Sequence, residues 1–164
     1  MRLISIVTPC YNEEENIEEL YARVKEVMKS KLSNYNYEHI FIDNASTDNT
    51  VDKLRNISNT DKNIKIIINS RNYGHMCSPV HGMFQASGDV IISIVSDLQD
   101  PPEMIPQFIE KWEGGNDIVL AIKESSKENG LMFSLRKLYY SILGKLSEIE
   151  IFQNYTGFGL YDKK

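Results

Sequence analysis

The chain has 164 residues, 41% hydrophobic, 25% charged and 10% aromatic, and its 18 Lys and Arg against 23 Asp and Glu give a formal charge of −5. These proportions belong to a globular domain and exclude a disordered chain, a collagen-like fibre and a disulfide scaffold. The acidic balance excludes a duplex nucleic-acid partner, which would call for a basic stripe.

Two cysteines, Cys10 and Cys77, suit a reducing compartment, and Met1-Arg2 leads into a short apolar run that soon meets Pro9 rather than into a signal peptide. The apolar runs fall short of the roughly 20 residues of a membrane-spanning helix. A single cytoplasmic domain over residues 1–164 is expected.

Leu3-Ile4-Ser5-Ile6-Val7 predicts a buried strand ending at Thr8-Pro9, where proline removes a ladder donor. Ile17, Leu20, Tyr21, Val24 and Met28 recur at helical spacing behind Glu13-Glu14-Glu15, an acidic start that suits a helix N-terminus. Tyr37 to Asp43 reads as a second strand, and Asn44 to Asp48 as a capping turn before a helix carrying Val51, Leu54 and Ile57. A third strand over Ile64–Ile68 and a helix over Ser78–Ala86 follow. Val90 to Val95 has the unbroken hydrophobicity of a central parallel strand. Pro101-Pro102-Glu103 opens a helix that buries Met104, Ile105, Phe108, Ile109 and Trp112. A strand over Asp117–Ile122 and an amphipathic helix over Leu131–Leu146 complete the pattern. Strands alternating with helices predict an α/β fold, a mainly parallel sheet with helices on both faces.

In such a sheet, ligands sit beyond the carboxyl ends of the strands. Polar groups follow four successive strands: Thr8 to Glu13, Asp43-Asn44, Ser70 to His75, and Ser96 to Asp100. The sequence lacks G-x-G-x-x-G after its first strand, any G-x-x-x-x-G-K-[ST] and any G-x-S-x-G, which removes dinucleotide-binding, P-loop and hydrolase-elbow sites. Without a glycine cradle, phosphate calls for a divalent cation, and Asp97, Gln99 and Asp100 offer the hard oxygens that Mg²⁺ or Mn²⁺ requires. Alternate residues of an extended segment point the same way, so Asp97 and Gln99 can share one ion. The plainer alternative is that Asp97 to Glu103 only turns the chain and caps a helix.

Four stretches, in order and in register, resemble the GT-A-fold, family 2 inverting glycosyltransferases, and among them the polyprenyl-phosphate sugar transferases. They are Ile6 to Asn16 (IVTPCYNEEEN), Phe41 to Thr50 (FIDNASTDNT), Ser70 to His75 (SRNYGH) and Asp97 to Glu103 (DLQDPPE). The resemblance implies a UDP- or GDP-linked sugar donor, with Pro9, Tyr11 and Glu13 lining the base and ribose pocket. It implies nucleoside contacts from Asp43 and Asn44, the latter standing where the family commonly carries Asp. Arg71 is implied near the nucleotide, and Asp97 and Gln99 as ligands of the metal that bridges the diphosphate. Relatives of the dolichyl-phosphate mannosyltransferases generally carry a further Asp at the position of Val95. The family usually continues past Lys164, so the donor half is expected whole and the acceptor half in part.

The acceptor decides the catalytic requirement. A saccharide hydroxyl needs a general base, for which Asp100 is the nearest carboxylate. A lipid phosphate, with a second pKa of about 6, is already largely ionised and needs cations instead. Family analogy places Lys123, Arg136 and Lys137 there, and a solvated helix face is the other reading of the three. Two alternatives to a polyprenyl-phosphate transferase stay open: transfer to a saccharide acceptor, and a non-catalytic nucleotide-binding remnant.

His75, Cys77 and His81 match no common zinc spacing. His39 reads as a packed core residue, and Trp112, Tyr139 and Tyr140 as packing or lipid-facing groups rather than a sugar platform. The apolar face of Leu131–Leu146 calls for cover by further chain, a second copy in a homo-oligomer, or a membrane surface at the inner face of the cell membrane.

Overall fold

The computed structural model describes residues 1–123 and 155–164. Among them a six-stranded sheet has the order β3-β2-β1-β4-β6-β5, from β1 (Leu3–Cys10), β2 (Asn36–Asp43), β3 (Ile64–Ile68), β4 (Val90–Ser93), β5 (Ile118–Ile122) and β6 (Tyr155–Asp162). The helices are α1 (Ile17–Lys31), α2 (Thr50–Thr60), α3 (Gly74–Phe84) and α4 (Ile105–Glu113), the last entered through a 3₁₀ turn at Pro102–Met104. The chain divides into two compact units, Met1–Leu120 with Gly157–Lys164, and Ala121–Thr156. The Leu131–Leu146 helix expected from the sequence lies outside the described residues. No helix among the described residues is long and apolar enough to cross a membrane.

β1, β2, β3 and β4 are mutually parallel, and β6 runs antiparallel to β4. Their core is aliphatic and tight: Ile4, Ile6, Val7, Ile42, Val90 and Ile92 are all fully buried. α3 covers one face, pressed so closely that a Cβ on Gly82 would stand 2.8 Å from Val7 Cγ1. The opposite face, carrying Ile4, Ile6, Phe41 and Ile92, is closed by α1, α2 and α4. On α1 the inward stripe is Ile17, Leu20, Val24, Val27 and Met28; Tyr21 is only half-buried and donates instead to Asp61 at 2.9 Å.

The structure differs from the sequence expectation at four elements. β1 runs through Pro9 to Cys10, in register with Ile42 and Asp43, whereas β4 pairs with β1 only as far as Val7. Pro9 thus lies where β4 has already left the ladder, so a missing N–H costs little. β4 itself ends at Ser93 rather than Val95. α3 begins at Gly74, whose φ of +83° glycine adopts without strain, and carries Pro79 inside it. β6 is absent from the sequence expectation, because Gly157 and Gly159 interrupt its alternation of side chains.

A charged cluster fixes the turn between α3 and β4. Glu38, 5% exposed, accepts from Ser5 Oγ at 2.5 Å, Ser87 N at 2.7 Å and Ser87 Oγ at 2.8 Å, and pairs with Lys65. Burial alone would raise the Glu38 carboxyl, but Lys65, Ser5 and Ser87 outweigh it and hold the pKa at about 2.

His39 is fully buried against Phe41, with Nε2 2.9 Å from Thr8 Oγ1 and Nδ1 without a partner. This bears out its reading as a core residue. Burial, opposed by the charge of Asp61, depresses its pKa to about 3. The unfolded chain therefore takes up a proton below about pH 6.5 that the folded chain refuses down to about pH 3, and stability falls as pH falls through that window. The slope from this group is about 1.4 kcal/mol per pH unit. Urea midpoints at pH 7.5 and 4.5 should differ more in the parent than in His39→Gln, and equal differences would contradict the assignment.

Candidate functional site

The strand order reverses between β1 and β4: the chain builds outward from β1 to β3, then crosses to the other side of β1. A crevice opens at such a switch point, beyond the carboxyl ends of the two strands. The register places Cys10, Asp43 and Ile68 in one row at that end, with Ser93 beside Val7. The four loops that follow form its rim.

The loops after β1 and β2 are laced together. Asn12 N–H donates to Ser46 Oγ at 2.9 Å, and Asn12 Oδ1 accepts from Thr47 N at 2.9 Å. Glu13 N donates to Thr50 Oγ1 at 2.8 Å, and Glu14 Oε2 accepts from Asn49 N and Nδ2 at 2.9 and 2.7 Å. Asp43, fully buried, accepts from the backbone N–H and the hydroxyl of Ser46. Ser96 Oγ donates to the Pro9 carbonyl at 3.1 Å, tying the β4 loop to β1. Asn12, Ser46 and Thr50 carry this lacing and escaped the sequence reading. Their signal was present in the run of turn-forming Asn, Ser and Thr.

Asn44 uses both ends of its amide. Oδ1 accepts from Tyr73 N at 2.9 Å and Asn69 Nδ2 at 3.2 Å, while Nδ2 donates to Asn72 Oδ1 at 2.9 Å and Gly74 O at 3.3 Å. An Asp there would bring a carboxylate against the last two acceptors, so Asn is matched to this loop. Arg71 and Tyr73 are held at the exposed edge, the guanidinium 4.9 Å from the ring centroid.

Asp97 and Gln99 stand exposed at the β4 loop. Asp97 Oδ1 accepts from Gln99 N at 3.0 Å, closing a turn around Leu98, whose φ is +59°. Among the described residues, Asn12 (φ 57°) and Ala45 (φ 64°) are the other non-glycine residues in the left-handed region, and all three lie past strand ends on this rim. Each such residue costs on the order of 1–2 kcal/mol, least for Asn. Backbone strain of this kind clusters at functional sites in proteins generally.

An exposed carboxylate and an amide oxygen fit a hard divalent cation that keeps its other positions for phosphate and water. Among the described residues no three His, Cys, Asp or Glu gather into a closed metal cluster. Asp100 is 7% exposed, at the start of the segment that Arg23 anchors through Glu103 at 2.9 and 2.6 Å.

Pro9, near the end of β1, and Glu13, in the loop after it, are half-buried, and Tyr11 in that loop is exposed. Cys10 lies beneath them, and burial, followed by the charges of Asp43, Glu13 and Asp48, pushes its thiol up, away from nucleophilic duty. Lys123 is exposed just after β5, in the second unit, whereas Arg136 and Lys137 lie outside the described residues.

A cavity of about 680 Å³ opens at the opposite end of the sheet. Its groups serve each other: Arg2 stacks 4.9 Å over Trp112, whose Nε1 donates to Asp162 at 2.5 Å. It is the seam that fastens β6.

Known proteins bear on this geometry. An uncharacterized glycosyltransferase of Bacillus subtilis, YkcC, is 40% identical over 163 residues, covering 98% of this chain and 49% of the relative. A prophage bactoprenol glucosyl transferase homolog of Escherichia coli is 35% identical over 161 residues, covering 98% and 52%. The chain thus spans about half the length of these curated relatives. Glucosyl-3-phosphoglycerate synthase from Mycobacterium tuberculosis, solved with Mn²⁺, UDP-glucose and phosphoglyceric acid, superposes with a TM-score of 0.65 at 21% identity, covering 98% of this chain and 57% of its own. That likeness establishes the GT-A fold. The sequence model of glycosyl transferase family 2 matches residues 5–164, spanning all four rim loops, and the chain belongs to that family.

Proposed function

We propose that the chain carries the donor-binding part of an inverting glycosyltransferase that moves a sugar from a UDP- or GDP-linked donor to a polyprenyl phosphate. The observation that supports it best is that Asp97 and Gln99, in the loop after β4, and Pro9, Tyr11 and Glu13, at the end of β1 and just past it, follow the two strands between which the sheet order reverses. The likeness to a bactoprenol glucosyl transferase homolog supports the lipid acceptor.

In this reading Pro9, Tyr11 and Glu13 take the base and ribose, and Asp43 braces the wall behind them through Ser46. Arg71 reaches the nucleotide from the loop that Asn44 holds. Asp97 and Gln99 would hold Mg²⁺ or Mn²⁺, which when bound supplies Lewis-acid stabilisation of the leaving diphosphate. The acceptor phosphate, ionised at neutral pH, attacks without a general base. Asp100, nearly covered, is then spared a proton-transfer role. Lys123, Arg136 and Lys137 would hold the acceptor phosphate.

Nucleotide release from UDP- and GDP-sugars with Mn²⁺ is the direct assay. Release should rise on adding a short-chain polyprenyl phosphate and stay at background with saccharide acceptors. Stimulation by saccharides alone would overturn the lipid reading. Nucleotide binding without turnover would instead favour a non-catalytic remnant, the reading to which Val95 points.

A further inference from the structure

α3 is built inside out. Its small residues face the sheet: Ser78 is 2% exposed, and a Cβ on Gly82 would also meet Ile42 Cγ2 at 3.1 Å. Met83 packs against the core beside them, but three large apolar residues face away, with Met76 68%, Val80 46% and Phe84 82% exposed. Spaced four apart, these three form one stripe along the helix. The close seat of Gly82 prevents the helix from rolling to hide them. Tyr73, just before α3, and Ile68, at the end of the edge strand β3, are also exposed at the rim end. Exposed apolar patches of this kind mark contact surfaces.

Charge selects the occupant. Between Asp61 and Asp89 the sequence has no Asp or Glu, although the whole chain has 23, and it carries Lys62, Arg71, His75 and His81 besides Lys65, which pairs with Glu38. Tyr73, 45% exposed at the head of the helix, is of the residue type that anchors at a headgroup boundary. The stripe is narrow, five large side chains against the roughly 20–30 residues a side of a standard protein interface. A bilayer needs no matching relief. We propose that the outer face of α3 docks on an anionic lipid surface, with Met76, Val80 and Phe84 entering the headgroup boundary. The lipid-acceptor reading gives this docking its purpose: it would bring the rim at Arg71 and Tyr73 to the membrane.

Flotation of the full chain with phosphatidylcholine vesicles, with and without phosphatidylglycerol, tests it. Binding should require phosphatidylglycerol, and a Met76→Ser/Val80→Ser/Phe84→Ser variant should partition at least about tenfold less. Phe84→Glu alone should weaken binding in the same direction. Failure to float, or equal partition of parent and variants, overturns the proposal. So does sedimentation velocity showing a dimer that the triple variant dissociates, since the face would then belong to a second copy. Transfer to a short-chain polyprenyl phosphate in solution separates the two readings. Activity there without vesicle binding leaves the acceptor assignment standing and removes the docking face; vesicle binding without such activity does the reverse.

Discussion

Asp97→Ala should abolish Mn²⁺-dependent binding of UDP- and GDP-sugars. Removing a group one step behind a metal ligand typically weakens affinity 10–100-fold, so loss of the carboxylate itself should reach at least about 100-fold. The side chain also closes the turn around Leu98 through its bond to Gln99 N. Asp97→Asn separates the two roles, because an amide oxygen can still accept that N–H while the charge is gone. Calorimetry should find both variants weak in the presence of Mn²⁺. Retention of parental affinity by either would remove Asp97 from the donor site.

The second large effect is structural. A Cβ on Gly88 would stand 2.7 Å from Leu3 O, Ser5 N and Ser5 Oγ, and two of these are backbone atoms that cannot swing aside. Gly88→Ala must also part Gly88 N from Ser5 Oγ, at 2.8 Å, and so disturb the donor that serves buried Glu38. Overpacking costs about 1–3 kcal/mol, and a buried carboxylate losing a donor adds about 1–3 kcal/mol. Denaturant unfolding should therefore show a loss of about 3 kcal/mol or more, with Ser87→Ala losing less. An unchanged midpoint for Gly88→Ala would mean that the turn moves freely.

Much of this architecture is legible in the sequence. β3 was delimited residue for residue, because Ile64–Ile68 is a compact β-branched run between turn formers. β2 and α1 differed only at their ends. The early start of α3 was obscured because Pro79 reads as a helix opener and conceals the turn that Gly74 begins. β6 was obscured by its glycines. At the rim, chemistry and spacing single out Asp97 and Gln99 in the sequence, and both are exposed on the loop after β4. The part played by Asn44 is not legible there, since three of its partners come from the β3–α3 loop and the fourth is Gly74 at the start of α3, and only tertiary structure brings them together. The outward stripe of α3 was equally hidden: apolar residues at helical spacing imply a core, and only the seat of Gly82 reveals which way they turn.

The backbone at Asn12, Ala45 and Leu98 has a consequence for how the molecule ages. Conformational energy is stored along the upper rim, while the ladders beneath it are at rest. Warming should let those three turns relax before the sheet gives way. A sample could thus keep its secondary structure, and look sound by circular dichroism, after its capacity to recognise a ligand has gone.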